Sequence, residues 1–132
     1  MSQEKVEAVR RFARAFNDGD IDAMVAELDP DVEWEEQPIP GLDPVYHGHA
    51  GVRRWAEAIT QELASLQVQI EGFSEAGDAV IVSTRVRGEG RSSGVEVQMH
   101  VYQVVTFRED KGARRQVFRT RREALEAVGL RE

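Results

Sequence analysis

Carboxylates crowd around a tryptophan in Glu33-Trp34-Glu35-Glu36, and the spacing separates them into two faces. In an extended strand alternate side chains share a face. Glu36 therefore points with Val32 and Trp34, while Glu33 and Glu35 point the other way. A second candidate is Gln103, the one polar side chain among Val95, Val97, Met99, Val101, Val105 and Phe107 on the odd-numbered face of an apolar run. An amide on a buried apolar face must find a partner, whether a ligand, a water or a backbone group. Three histidines offer less. His47 and His49 lie two apart near a helix start, poor geometry for holding metal from one helical face, and no third ligand is near, so no metal is expected. His100 titrates in the useful range, but alternation places it on the mixed outer face. Gly88, Gly90 and Gly94 read as a hairpin turn, not a phosphate cradle. No serine sits in a nucleophile elbow.

These residues belong to a chain of 132 residues, 41% apolar and 31% charged, which suits one domain, 1–132, built on one core. With no cysteine there is no disulfide framework, thiolate nucleophile or thiolate-bound zinc. No apolar run approaches the ~20 residues that span a bilayer, and Met1 to Glu7 lacks the basic-then-apolar pattern of a secretory signal. A cytoplasmic address and no membrane association are expected. The net charge of -7 argues against nucleic-acid binding, since phosphates would be repelled. The charge is uneven: Met1 to Ala50 holds four basic and twelve acidic side chains, Gly112 to Glu132 six basic and three acidic.

The elements that must position the candidates follow from periodicity. Val6, Val9, Ala13 and Phe16 predict a helix over Gln3 to Asn17, capped by Ser2 and ended at Gly19. Asp20 caps a shorter helix bearing Ile21, Met24, Val25 and Leu28, stopped by Asp29-Pro30. A short strand from Val32 to Glu36 leads into a proline-rich loop, Gln37 to Tyr46, and a helix from His49 to Ala64. Four strands follow, joined by short turns and so antiparallel, with a bulge expected at Gly72 and a short closing helix over Arg121 to Val128. Helices that come first must cover one face of the sheet, and the Val95–Phe107 face should meet them. The opposite face, with His100, Tyr102 and Val104, is either wet or half-buried in a dimer.

Several segments, in order and covering nearly the whole chain, carry a family resemblance: Val9-Arg10-Arg11-Phe12 leading to Phe16-Asn17-Asp18-Gly19-Asp20; Leu28-Asp29-Pro30-Asp31-Val32-Glu33-Trp34; Tyr46-His47-Gly48 before Val52-Arg53-Arg54-Trp55; Ala76-Gly77-Asp78-Ala79-Val80; Val105-Thr106-Phe107-Arg108; and Arg122-Glu123-Ala124-Leu125-Glu126-Ala127-Val128-Gly129-Leu130. Together they resemble the SnoaL-like branch of the nuclear transport factor 2-like (ketosteroid isomerase-like) superfamily. The resemblance implies an α+β fold, a cone-shaped half-barrel in which a curved, mostly antiparallel sheet carries helices on its concave face around a pocket. It also implies cofactor-free acid–base chemistry on apolar molecules in catalytic members, and a homodimer paired through the outer sheet face. One fold hosts many functions, so isomerase, cyclase, hydrolase and non-catalytic binding or assembly modules all remain open.

By the same resemblance Glu36 stands where ketosteroid isomerases carry their general base, with Gln37 inserted before Pro38. A carboxyl in a dry pocket becomes a usable acid or base because burial disfavours its charged form. Phe12 takes the place of the oxyanion-hole tyrosine and Gln103 that of its protonated aspartate, the arrangement that serves as the standard example of a carboxylic acid kept neutral. Ketosteroid isomerisation by that route is therefore not expected. Thr120 occupies the position of an aspartate before the last helix, and Arg115 and Arg119 stand where apolar residues are usual; these departures favour a binding module. Arg85 matches a pocket cation of epoxide hydrolase relatives, though arginine is mostly exposed. The expectation is a small apolar ligand, with Glu36 and Gln103 as catalytic candidates and Phe12, Trp34, Tyr46, Trp55, Met99 and Phe118 around the ligand.

Overall fold

Helical spacing at Val6, Val9, Ala13 and Phe16 becomes α1 (Gln3–Asp18) in the computed structural model, which describes residues 3–130. The expected Ser2 cap lies outside the described residues. Gly19 ends α1 in the left-handed region, φ 71°, and Asp20 caps α2 (Ile21–Ala26) by accepting from the Ala23 N–H at 3.1 Å. There follow β1 (Leu28–Glu35), β2 (Val45–His47), α3 (Gly48–Glu62), β3 (Leu63–Ala76), β4 (Ala79–Gly90), β5 (Glu96–Arg108), β6 (Lys111–Phe118) and α4 (Arg121–Ala127). The fold is α+β, as expected. The added element is β2, inside the segment read as loop. Three residues are too few for alternation to be legible, yet Tyr46 pairs with Trp34 and is buried.

The six strands form one open, curved sheet in the order β2-β1-β6-β5-β4-β3. All neighbours are antiparallel except β1 and β6, which run parallel. A parallel pair needs a long crossover, here everything between β1 and β6. Two register shifts in β3, between Ala64 and Gln67 and between Ile70 and Gly72, bend the sheet where Gly72 predicts a bulge.

Helices α1, α2 and α3 cover one face. Met24 of α2 and Val52 and Trp55 of α3 share one buried cluster with Val32 and Trp34 of β1, and Ala8 of α1 meets Val80, Val82 and Phe107 of the sheet. Each fully buried Met or Val side chain contributes roughly 1.5–3 kcal/mol. The opposite face is not simply wet. Ala124 and Leu125 of α4 pack on Ala79, Ile81 and Val104, and Val104 is 1% exposed. Part of the surface expected to be free for a dimer is thus taken by the chain's own last helix. The apolar run expected to meet the helices does not do so throughout: Val95, just before β5, and Met99 within it are exposed. Among the described residues no helix is long and apolar enough to cross a membrane.

Candidate functional site

Between α1, α3 and the concave sheet face lies a cavity of about 100 Å³. Its wall is mainly apolar, and strand alternation explains why. Leu66, Val68 and Ile70 of β3, Val82 and Val86 of β4, and Val101, Val105 and Phe107 of β5 project to the same side, opposite Phe12 and Phe16 of α1. Aromatic rings close one end in a chain of contacts: Phe12 to Trp34 at 5.2 Å, Trp34 to Trp55 at 5.0 Å, and Trp55 to Phe16 at 5.6 Å between centroids.

Into this apolar wall the sheet inserts a connected polar chain. Arg115 of β6 stands opposite Trp34 of β1 in the parallel register and opposite Val105 of β5 in the antiparallel one. Its guanidinium consequently lies over the Trp34 ring, 4.5 Å from the centroid, and 5.4 Å from that of Trp55. From there Arg115 Nε donates to Gln103 Oε1 at 2.8 Å, and Nη1 donates to the Glu35 carbonyl at 2.8 Å and to Glu36 Oε2 at 3.2 Å. Gln103 Nε2 donates onward to Thr84 Oγ1 at 3.1 Å. Arg115 and Gln103, and Gln103 and Thr84, are diagonal cross-strand neighbours, within reach of long side chains.

Glu36 closes the chain. Its side chain is 5% exposed and that of Arg115 8%, so the pair is buried. Glu36 Oε2 also accepts from Trp55 Nε1 at 2.8 Å, and Oε1 from the Gln37 N–H at 2.9 Å. The Gln37 amide in turn donates to the Val117 carbonyl, fixing the residue inserted before Pro38 against β6. Burial pushes the Arg115 guanidinium below its usual range, and the charge and hydrogen bond of Glu36 oppose that shift. Two donors thus remain without protein partners among the described residues. Arg115 Nη2 makes no hydrogen bond, and Trp34 Nε1 is buried without one, although Trp34 is 3% exposed and forms part of the wall.

The structure brings together Phe12, Trp34, Trp55 and Gln103 in the cavity wall. Glu36 does not line the cavity; it bonds two residues that do, Arg115 and Trp55. Tyr46, Met99 and Phe118 lie elsewhere. Tyr46 is packed beneath α3 with its hydroxyl accepting from the Asp43 N–H at 2.9 Å. Met99 is 37% exposed, beyond the helices. Phe118 has the opposite parity and packs toward α4. Arg85 is on the outer face, paired with Glu71 at 3.1 Å beside His100, whose Nε2 meets Ser83 Oγ at 2.7 Å. His49 bonds the Leu28 carbonyl, and no three potential metal ligands cluster among the described residues. Thr120 caps α4, its hydroxyl accepting from the Glu123 N–H. Gly90-Arg91-Ser92-Ser93-Gly94 has the spacing of a nucleophile elbow but joins two strands, with no helix after it.

The residue that sequence reasoning undervalued is Arg115. In the sequence it stands only as a departure from the usual apolar residue, one that favours a binding module, yet it is the centre of the polar chain. Parity was available as a signal: Ala113, Arg115 and Val117 alternate with Arg114, Gln116 and Phe118. Thr84 was missed outright, and nothing local distinguishes it from other strand threonines.

Among curated proteins no sequence matches this chain. Solved structures do match in fold. TerC, co-crystallised with polyporic acid, superposes with a TM-score of 0.80 at 24% identity, covering 96% of this chain and 99% of its own. A nuclear transport factor 2-like protein of unknown function from Burkholderia pseudomallei K96243 gives 0.80 at 22% identity, covering 97% and 98%. SalBIII, an epoxide hydrolase/cyclase-like enzyme with a role in pyran ring formation in the polyether salinomycin, gives 0.75 at 22% identity, covering 90% and 92%. At these identities the likeness is one of fold. The sequence itself matches the model of the SnoaL-like domain over residues 9–115, which takes in α1 from Val9 onward, the cavity strands β3, β4 and β5, and Arg115, and the chain belongs to that family.

Proposed function

We propose that this SnoaL-like domain binds a small apolar molecule in the cavity between α1, α3 and the sheet, and holds the molecule's polar atom against Arg115 and Gln103. The observation that carries the reading is the buried chain Glu36–Arg115–Gln103–Thr84 set into an otherwise apolar wall. A buried ion pair is a poor way to gain stability, since apolar residues of similar volume do as well or better. Its placement on the cavity wall is accounted for by a ligand. Arg115 presents positive charge where a carbonyl, ether or hydroxyl oxygen would lie, and in a dry site such a group polarises the oxygen strongly. Glu36 and Trp55 hold the guanidinium in position. That TerC, which shares the fold, was co-crystallised with polyporic acid supports small-molecule binding.

A second reading adds turnover. The cyclase-like description of SalBIII favours it, as does the presence of a carboxylate 3.2 Å from the cation that would polarise the ligand. Here Glu36 acts through the two cavity residues it bonds, holding Trp55 and Arg115 in place, while Arg115 and Gln103 stabilise charge developing on oxygen. The test is thermal shift and product analysis for the purified protein against small ketones, epoxides and polyketide-like aromatics, repeated with Glu36→Gln and Gln103→Leu. A ligand at ~100 times its dissociation constant adds about 2.7 kcal/mol of stability. Binding that weakens in Gln103→Leu supports the pocket. Product formation that disappears in Glu36→Gln supports turnover. No binding by any compound sinks both readings and favours an assembly module.

A further inference from the structure

The long strand β5 outruns its neighbour β6. Pairing with β6 begins only at Tyr102, opposite Phe118, beyond which the chain leaves the sheet for α4, whereas pairing with β4 continues to Glu96. From Val95 to Val101 one edge of the strand is therefore without a partner strand among the described residues. Alternation says which backbone groups lie on that edge. Gly90 N–H donates to the Val95 carbonyl at 2.9 Å and Phe107 N–H to the Asp78 carbonyl at 3.2 Å, and the register between them is unbroken. Odd-numbered residues of β5 thus direct N–H and C=O toward β4, and Glu96, Gln98 and His100 direct theirs to the open edge. Folded chains blunt such an edge with proline, a bulge or several charges. The stretch Val95-Glu96-Val97-Gln98-Met99-His100-Val101 has no proline and no bulge, and its Val95 is 60% exposed.

The stretch is its own complement. Laid antiparallel on a second copy with the two Gln98 residues opposite each other, Glu96 meets the second copy's His100, Val97 its Met99 and Val95 its Val101. The outward N–H and C=O groups then all find partners, apolar side chains meet on one face, and carboxylate meets imidazole on the other. A one-residue slip sets outward groups against inward ones. Centring on Met99 would need Tyr102, already paired with Phe118, and centring on Val97 would set Glu96 against Gln98. Charge selects the same register. On the β4 side Glu96 stands opposite Glu89, and His100 opposite Arg85 with Glu71 shared between those two. The second copy brings His100 to the Glu96 that has a like charge beside it. We propose that two copies of this chain pair through this edge of β5, joining their sheets across a two-fold axis at Gln98. The contact is a strand edge and not the outer sheet face, and it is of the small class that associates weakly and reversibly.

The test is made on the full chain. Light scattering over a concentration series follows association, and NMR of mixed isotope-labelled and unlabelled chains identifies the contact. In the proposed register Val97 and the second copy's Met99 form a non-hydrogen-bonded pair, the kind with the closest backbones, so a cross-peak between their α-hydrogens on different copies is expected. Gln98→Pro removes an outward N–H and no bond to β4, so it should keep the fold and weaken pairing at least about tenfold. Gln98→Ala keeps that N–H and should pair nearly as the wild type does. A chain still monomeric at about 1 mM overturns the proposal. So does pairing that lacks the Val97–Met99 cross-peak or is unaffected by Gln98→Pro, which would leave the outer face as the contact. Should Gln98→Pro not fold, the cross-peak in the wild-type chain decides alone.

Discussion

Replacing Glu36 by glutamine removes one charge from a pair whose side chains are 5% and 8% exposed and leaves the Arg115 cation buried without its counter-ion. Removing one partner of a buried pair costs about 3–5 kcal/mol, far more than an exposed pair, because the remaining charge is neither solvated nor balanced. The carboxylate also accepts from three donors, the Gln37 N–H, Trp55 Nε1 and Arg115 Nη1. A glutamine offers only one oxygen, and its amide nitrogen would face a donor. For a chain of 132 residues the unfolding entropy scales to about 3–4 °C of melting temperature per kcal/mol, so a fall of roughly 10–18 °C is expected. Urea denaturation at neutral pH of wild type, Glu36→Gln, Arg115→Met and the double variant gives the full cycle. The double variant should be more stable than Glu36→Gln alone, since it removes the stranded cation, and the coupling should exceed about 1 kcal/mol. A Glu36→Gln protein within about 0.5 kcal/mol of wild type, or effects that simply add, would refute the argument that Glu36 holds Arg115 in charge balance.

Four further outcomes follow from the geometry. Asn17 closes two hydrogen bonds with the backbone of Val68, at 2.8 and 2.9 Å, and so ties the end of α1 to the edge strand β3; Asn17→Ala should cost about 1–3 kcal/mol by chemical denaturation. Gly48 begins α3 at φ 68°, and a Cβ there would sit 3.1 Å from the Pro30 carbonyl; Gly48→Ala should cost at least about 1–2 kcal/mol in the same assay. Arg53 and Asp22 pair at 2.7 Å but are 46% and 86% exposed; Asp22→Asn should change stability by less than about 1 kcal/mol, and that little should vanish in high salt. Pairing through the outer face, now confined to the part of β5 around His100 that α4 leaves open, predicts twice the chain mass by light scattering and loss of the dimer in His100→Glu.

Short-range regularities carried most of the fold in the sequence. Val6, Val9, Ala13 and Phe16 specify α1 because a helix returns to the same face every three or four residues, and Gly19 and Asp20 punctuate it through their own backbone and side-chain chemistry. Alternation likewise put Trp34 and Glu36 on one face of β1 and set Gln103 apart on β5. Tertiary structure decided where each face ends and what it meets. Met99 shares the parity of Gln103 but lies beyond the reach of α1 and α3, while Val104 is buried by α4, which comes twenty residues' span later in the chain. The candidate site depends on this most of all. Glu36, Trp55, Gln103 and Arg115 meet because β6 returns parallel to β1 in the register that sets Arg115 against Trp34. Parity tells a side chain which face to take, but only the pairing of distant strands chooses its neighbours, and that choice turned an arginine that looked out of place into the centre of the cavity's polar wall.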